Sequence, residues 1–178
     1  KVLSCDKFIL VDHVQFVKKE WQNRNKIKTS NGPMWLTVPV FVKGKFDQNI
    51  NEVEVDNNSN WCRSHWRSLE LNYTKADYFE SYRDFFEGVY KKRWNKLVDL
   101  NWAIIEFLLK ELGINKEVAL SSNLNFTLGG TDLLIEMCRK INGDTYLSGL
   151  QAKTYVDLEK FKVAGLKHIF MKFNYPTY

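Results

Sequence analysis

The spacing of apolar and polar residues changes along the chain, and its first third has the pattern of β-structure. A short, continuously apolar run at residues 8–11 ends at Asp12 and predicts a buried strand. Two β-compatible runs, residues 22–28 and 34–41, flank a Ser-Asn-Gly-Pro segment and predict a hairpin, because Asn-Gly favours tight turns. Residues 50–55 have the pattern Ile-x-x-Val-x-Val and predict a further strand.

Apolar residues then recur at helical spacing through the middle of the chain and predict three helices in series. Their apolar faces are Trp66, Leu69 and Tyr73; Tyr78, Phe79, Tyr82, Phe85, Phe86, Val89 and Tyr90; and Leu97, Leu100, Ile104, Ile105, Leu108 and Leu112. The third helix is expected to stop at Gly113.

The last third alternates between strand-like and helix-like segments. Strands are predicted at residues 117–120, 145–149 and 167–173, and helices are predicted to begin at the capping residues Thr131 and Asp157. This β-α-β-α-β order implies parallel strands joined by crossover helices. We therefore expect an α/β fold, with a mostly parallel sheet, flanking helices and an N-terminal β-hairpin region in a single domain over residues 1–178.

Composition places the chain among compact globular proteins. Of its 178 residues 44% are hydrophobic and 15% aromatic, which is enough to bury one sizeable core. No apolar run approaches the roughly 18 residues that cross a bilayer, so no membrane span is predicted. The three cysteines are widely spaced and fit neither a disulfide framework nor a metal site, which favours the cytoplasm. No pattern names a cofactor or an oligomeric state.

The net charge of +5 is concentrated in one segment. Seven cations lie between His13 and Lys45 against a single anion, Glu20. Zinc-finger spacing, an RNP-like aromatic motif and a basic helix with heptads are all absent from the sequence, so no nucleic-acid partner is predicted. A local basic segment on an otherwise balanced chain favours a small anionic ligand, such as a phosphate or a nucleotide.

The basic segment contains the least ordinary stretch of the sequence. If residues 22–28 are extended, Arg24, Lys26 and Lys28 share one face at intervals of about 7 Å. Arginine offers a fork for phosphate, lysine a point charge, and an amide such as Asn23 both donors and acceptors for a sugar. The alternative is a solvated edge strand with surface cations, and spacing alone does not exclude it.

Histidine is the usual acid or base near pH 7, and the chain has three, at positions 13, 65 and 168. His13 follows Asp12 at the end of a predicted buried strand, where open α/β sheets bind ligands. His65 lies one helical turn from Trp61, so a structural histidine packed against aromatic rings is the alternative there. Cys62 also precedes His65 by three residues, which makes a Cys/His couple geometrically possible.

Two serines follow predicted strands and could offer hydroxyl groups to a ligand. They are Ser122 and Ser148. The sequence has no GxSxG elbow around either, and it has no Walker or GxGxxG motif, so serine hydrolysis and a nucleotide-binding P-loop are unsupported.

Several blocks of the sequence, taken in order, match one known pattern. They are Asp12-His13-Val14-Gln15-Phe16, residues 21–29, Asn31-Gly32, residues 35–40, His65 with Leu69 and Tyr73, Tyr78-Phe79, Leu100-Asn101, Ser121-Ser122, the predicted helix at 131–143, residues 146–149 with Lys153 and Tyr155, and Tyr175-Pro176. In these blocks the sequence resembles the WbqC-like family of bacterial proteins over essentially its whole length. Family members usually carry an earlier strand and helix and continue past the Tyr-Pro pair, so the resemblance implies that residues 1–178 lack both extensions.

The resemblance implies a role in O-antigen or other surface-polysaccharide biosynthesis, through acyl or aminoacyl transfer to a nucleotide-linked or polysaccharide sugar. Such a transferase needs cations for a diphosphate, amides and hydroxyls for a sugar, and an acid or base near the reacting group. The candidate catalytic residues are His13, Asp12 and His65, and the candidate substrate-binding residues are Gln15, Asn23, Arg24, Lys26, Trp35, Tyr73, Ser122 and Ser148. The alternative is a non-catalytic subunit that binds a carbohydrate or a nucleotide.

Overall fold

The computed structural model describes residues 1–173, and these fall into two compact units. The hairpin unit is Asp12–Leu112, and the parallel-strand unit is Lys1–Val11 together with the described residues from Gly113 onward. That residues 1–178 form a single domain stays a prediction. The Tyr175-Pro176 pair lies outside the described residues.

The described residues contain short strands and five α-helices. In chain order they are β1 (Lys7–Leu10), β2 (Arg24–Thr29), β3 (Gly32–Thr37), α1 (Trp61–Tyr73), α2 (Phe79–Lys91), α3 (Leu97–Glu111), β4 (Glu117–Leu120), α4 (Gly130–Lys140), β5 (Thr145–Gly149), α5 (Leu158–Val163) and β6 (Lys167–Met171). β1 pairs with β4 and β5 with β6, both in parallel, whereas β2 and β3 are antiparallel. The predicted α/β class, with parallel strands, flanking helices and an N-terminal hairpin, is confirmed.

The hairpin forms where the Asn-Gly signal predicted it. Its strands are joined by Ser30 and Asn31, and Gly32 takes the positive φ of 99° that this tight connection needs. In the register Lys26 lies opposite Trp35 and Arg24 opposite Thr37. Residues two apart on a strand point to the same face, so the predicted row of cations shares its face with Trp35.

The three predicted helices of the hairpin unit are confirmed as α1, α2 and α3, and each contributes residues to a core cluster shared with the loop that follows the hairpin. The core cluster consists of Phe16, Val53, Val55, Trp61, Val89, Trp94, Leu97 and Leu100. Val53 and Leu97 are fully buried, and the backbone amide of Leu97 donates to the carbonyl of Val53 at 2.9 Å. This bond ties the start of α3 to the loop.

The strand predicted at residues 50–55 is wrong. Ile50–Glu52 is a single 3₁₀ turn, because Asn49 and Glu52 form a reciprocal capping box at its start. The Glu52 carboxylate accepts a hydrogen bond from the backbone N–H of Asn49 at 2.7 Å. Only isolated β-bridges follow, including one between Val40 and Val55.

In the parallel-strand unit the predicted order β-α-β-α-β is present, but hydrogen bonds join the described strands only in pairs. Asp157 caps α5 as predicted, accepting from the amides of Glu159 and Lys160. The predicted cap by Thr131 is wrong, because Gly129 occupies that position and Thr131 is buried within the first turn of α4. The Thr131 hydroxyl instead accepts from the Asp157 amide at 3.1 Å.

No α-helix within residues 1–173 combines the length and the apolar character that crossing a bilayer requires.

Candidate functional site

A cavity of about 480 Å³ in the hairpin unit is lined by residues of the hairpin and of α1, α2 and α3. We call it the hairpin cavity. Its polar and aromatic lining residues include Asn23, Arg24, Lys26, Trp61, His65, Tyr90 and Asn101. Four of the residues predicted from the sequence therefore line one cavity: Asn23, Arg24, Lys26 and His65.

The indole ring of Trp35 contacts both cations of the hairpin cavity. The guanidinium carbon of Arg24 lies 4.2 Å from the ring centroid of Trp35, and the ammonium nitrogen of Lys26 lies 4.8 Å from it. Trp21 packs against the same ring, with the two centroids 4.8 Å apart. Neither cation is paired with a carboxylate among the described residues. The charges are positioned by aromatic rings, so no carboxylate would have to be displaced when an anion binds.

Side-chain amides anchor the backbone at the start of β2. The Asn23 amide donates to the Val38 carbonyl at 2.8 Å, and the Val38 N–H donates to the Asn23 carbonyl at 2.8 Å. The Asn101 amide, from α3, donates to the carbonyl of Gln22 at 2.9 Å. These bonds set the path of the strand next to Arg24, and through it the position of the cation.

Three buried polar atoms at the hairpin cavity have no hydrogen-bond partner among the described residues. They are Asn23 Oδ1, Arg24 Nε and Trp61 Nε1. Asn23 is 9% exposed and Trp61 5%, so bulk water does not solvate them freely. Because buried polar groups are normally paired, an acceptor and two donors are available to a bound water or to a ligand hydroxyl.

His65 is buried at the hairpin cavity and packs edge-on against aromatic rings. Its ring centroid lies 5.3 Å from that of Trp61 and 5.8 Å from that of Tyr90. Burial lowers the pKa of His65, and a hydrogen bond from the ring to the backbone of Thr37 opposes this only in part. The lowered pKa favours the neutral imidazole near pH 7, and a neutral imidazole has one nitrogen that can donate a hydrogen bond and one that can accept.

The thiol of Cys62 and the phenol of Tyr90, which lie near His65, are both favoured in their neutral forms. Burial raises the pKa of the Cys62 thiol, whereas a reactive cysteine needs a lowered pKa. Burial, together with the nearby Cys62, raises the pKa of Tyr90 to about 12, so Tyr90 stays a neutral phenol. Among the described residues no three His, Cys, Asp or Glu side chains are placed to hold a metal ion.

Three predicted residues near the start of the hairpin unit do not line the hairpin cavity: Asp12, His13 and Gln15. Asp12 is buried, and its backbone carbonyl accepts a hydrogen bond from the backbone N–H of Asn51 at 2.9 Å. The Gln15 side chain donates to the Phe46 carbonyl at 3.2 Å. Asp12 and Gln15 thus make contacts to the loop after the hairpin, and a functional role for the three residues stays a prediction.

The remaining predicted residues lie elsewhere. Trp35 contacts Arg24 and Lys26, as described above. Tyr73 accepts a hydrogen bond from the Lys28 amide at 2.8 Å and lines a neighbouring cavity. Ser122 and Ser148 belong to the parallel-strand unit, where Ser148 is buried and its Oγ has no partner among the described residues. Their role also stays a prediction.

Sequence reasoning missed Trp61 and Tyr90 as cavity residues. Trp61 could have been found, because it precedes His65 by four residues and so shares its helix face. Tyr90 belongs to the next helix, and its position beside His65 depends on how α1 and α2 pack. No local pattern marks that contact.

Comparison with known proteins identifies relatives of the chain. The family model described as the WbqC-like protein family matches residues 1–178. The chain is also similar to the uncharacterized protein Rv1507c of Mycobacterium tuberculosis, with 36% identity over 167 residues that cover 93% of this chain and 72% of that protein. No solved structure matches the chain.

Proposed function

Because this chain belongs to the WbqC-like protein family, we propose that it transfers an acyl or aminoacyl group to a nucleotide-linked or polysaccharide sugar in bacterial surface-polysaccharide biosynthesis. The hairpin cavity is the proposed substrate site. One observation carries the proposal: His65, whose pKa is lowered by burial, lines the same cavity as Arg24 and Lys26. An anion site and a neutral base are what such a transfer needs in one place.

In this proposal the hairpin binds the nucleotide-linked sugar. Arg24 forms two parallel hydrogen bonds to a phosphate, and Lys26 adds a second positive charge. Asn23 Oδ1 and Trp61 Nε1 bond a sugar hydroxyl, which can donate to the first and accept from the second. The exposed ring of Trp21 offers a stacking surface for the sugar.

The proposed chemistry is attack by a sugar oxygen or nitrogen on the carbonyl carbon of an activated acyl donor. The new bond forms at that carbon, the bond to the leaving group breaks, and the proton of the attacking group passes to the unprotonated ring nitrogen of the neutral His65. A neutral imidazole is required for this step, since an imidazolium has no lone pair to accept a proton.

The second candidate function is binding without catalysis. It is favoured by the packing of His65, which is only 7% exposed and contacts Trp61 and Tyr90 as a structural histidine would. The same cavity would then bind a nucleotide-sugar for another protein of a polysaccharide-assembly complex.

Titration calorimetry tests the anion site. Nucleotide-sugars and free nucleoside diphosphates are titrated into the wild type and the variants Arg24→Ala and Arg24→Lys. Loss of a forked phosphate contact should weaken binding by about 2–3 kcal/mol, roughly 30- to 150-fold, and lysine should recover only part of it. Arg67→Ala is the control, because Arg67 is an exposed arginine of α1 that does not line the hairpin cavity. Equal affinities in all four proteins would contradict the proposal.

Product analysis separates the two candidate functions. The protein is incubated with a nucleotide-amino-sugar and an acyl thioester, and mass spectrometry follows the acylated sugar. The transferase proposal expects product from the wild type, and His65→Gln should abolish it while leaving the affinity for the nucleotide-sugar within about threefold. Binding without product over a panel of donors supports the second candidate.

A further inference from the structure

A second cavity of about 400 Å³ lies where α1 ends and α2 begins, and aromatic rings dominate its lining. We call it the aromatic cavity. Its rings are those of Trp66, Tyr73, Tyr78, Phe79, Tyr82 and Phe86. Apolar cavities of this size with few polar groups are typical of small-molecule sites.

The polar groups at the aromatic cavity are already engaged or stand at its rim. The guanidinium of Arg83 donates to Glu70 at 3.0 Å and to Glu80 at 2.9 Å, and it lies 5.0 Å from the Phe79 ring centroid. The two carboxylates therefore compensate the charge of Arg83, and its guanidinium already occupies the face of the Phe79 ring to which a ligand cation would bind. Asp77 is exposed and would repel an anion. The lining thus suits a neutral, apolar group.

The aromatic cavity adjoins the hairpin cavity. Three apolar residues, Ile27, Leu69 and Phe86, line both. Ile27 follows Arg24 by three residues on β2, about 10 Å along an extended strand. Their side chains leave opposite faces of the strand, but both residues line the hairpin cavity. A ligand whose anionic group contacts Arg24 is close enough to extend an apolar substituent past these three shared residues into the aromatic cavity.

We propose that the aromatic cavity binds an apolar acyl or aryl group carried by the same ligand whose anionic part binds at the hairpin. This inference rests on the proposed function and specifies its product: the acyl or aryl group, once attached to the nucleotide-linked sugar, is large and apolar and contacts the rings of the aromatic cavity. The six rings supply the contact surface, and binding removes apolar surface of both the ligand and the protein from water.

The experiment uses three simple probes, which are inorganic phosphate, hexyl phosphate and 1-hexanol. Their affinities for the wild type are measured by calorimetry. Hexyl phosphate should bind at least about tenfold more tightly than inorganic phosphate, because each buried methylene group adds to the affinity. We call this ratio the hexyl gain.

Two variants alter the aromatic cavity without touching the core, since Ala76 and Tyr78 both line it and are both exposed. Ala76→Phe places a ring at the cavity, and Tyr78→Ala removes one. Both should reduce the hexyl gain to less than about threefold and leave the affinity for inorganic phosphate unchanged. Ser81→Phe is the matched control: Ser81 is exposed on α2 outside the cavity, and this variant should keep the full hexyl gain. Circular dichroism verifies that each variant is folded.

The outcomes separate this inference from the proposed function. If phosphate binds through Arg24 but the wild type shows no hexyl gain, or Ala76→Phe and Tyr78→Ala both keep it, the inference is wrong and the anion site stands. A third outcome is that hexyl phosphate and hexanol bind with equal affinity, and that Ala76→Phe lowers this affinity whereas Arg24→Ala does not. The aromatic cavity would then bind apolar groups without any contribution from the hairpin. This result would contradict both the inference and the proposed anion site. If no probe binds, this inference is overturned, and the nucleotide-sugar titration decides the proposed function.

Discussion

Arg24 and Trp35 are diagonal neighbours across the hairpin, and the guanidinium carbon of Arg24 lies 4.2 Å from the centroid of the indole ring. The register pairs Trp35 directly with Lys26, so one ring contacts both cations. Diagonal pairs in a sheet come within reach of long and aromatic side chains. Arg24 is partly buried, and its contact with Trp35 restricts the rotamers that its long side chain can adopt.

The first prediction concerns the energy of that contact. Replacing Trp35 by Leu should lower the free energy of unfolding by about 0.5–1 kcal/mol beyond the effect of lost area, because the cation–π attraction is removed. A double-mutant cycle with Arg24→Ala, followed by urea denaturation, isolates the pair. A coupling energy of zero would mean that the two side chains are adjacent without interacting.

The second prediction is a pH dependence of stability. Burial holds the pKa of His65 below its unfolded value of about 6.5, so the unfolded chain binds the proton more readily as the pH falls. The wild type should therefore lose unfolding free energy between about pH 7 and pH 5, and His65→Phe should lose less. Urea denaturation at several pH values measures this.

His168 complicates that measurement and also provides its control. Burial lowers the pKa of His168 too, and this residue lies in the parallel-strand unit. His168→Phe should reduce the pH dependence separately, and the double variant should show the smallest slope. Identical slopes for the wild type and His65→Phe would contradict a lowered pKa at His65.

The third prediction concerns the anchor at the start of β2. Asn101→Ala removes the hydrogen bond to the Gln22 carbonyl and should cost about 1 kcal/mol of unfolding free energy. It should also weaken nucleotide binding, because the strand that carries Arg24 is less well held. Asn72→Ala is the control, since its amide bonds the Ser68 carbonyl on an exposed helix face, and it should change stability by less than about 0.5 kcal/mol. Equal effects of the two variants would contradict the anchoring role.

The fourth prediction concerns the cap of α5. Asp157→Ala should cost about 1 kcal/mol, because two backbone amides at the start of the helix lose their acceptor. Asp157→Asn retains a capping oxygen and should cost less. Asp132→Ala removes an exposed ion pair with Lys160 and should cost under about 0.5 kcal/mol. Thermal or urea denaturation ranks the three, and a larger effect at Asp132 would show that the ion pair rather than the cap stabilises the helix.

Local features of the fold were predictable from the sequence, because they depend on residues close together in the chain. Gly32 marks the hairpin turn, Asp157 the start of α5, and a helical period of apolar residues marks α1 to α3. The errors occurred where one local signal was overridden by another. The Ile-x-x-Val-x-Val pattern of residues 50–55 suggests a strand, but the capping box of Asn49 and Glu52 places residues 50–52 in a 3₁₀ turn.

The sequence alone determined most of the elements, the cationic face of β2 and the resemblance to a family. Only the tertiary structure decided which candidates share a site: it brings His65 to the cavity of Arg24 and leaves His13 out of its lining. The reason is physical. A strand or a turn is encoded in neighbouring residues, whereas the contact between α1 and β2 depends on how apolar faces distant in sequence pack to exclude water, and no spacing along the chain records that packing.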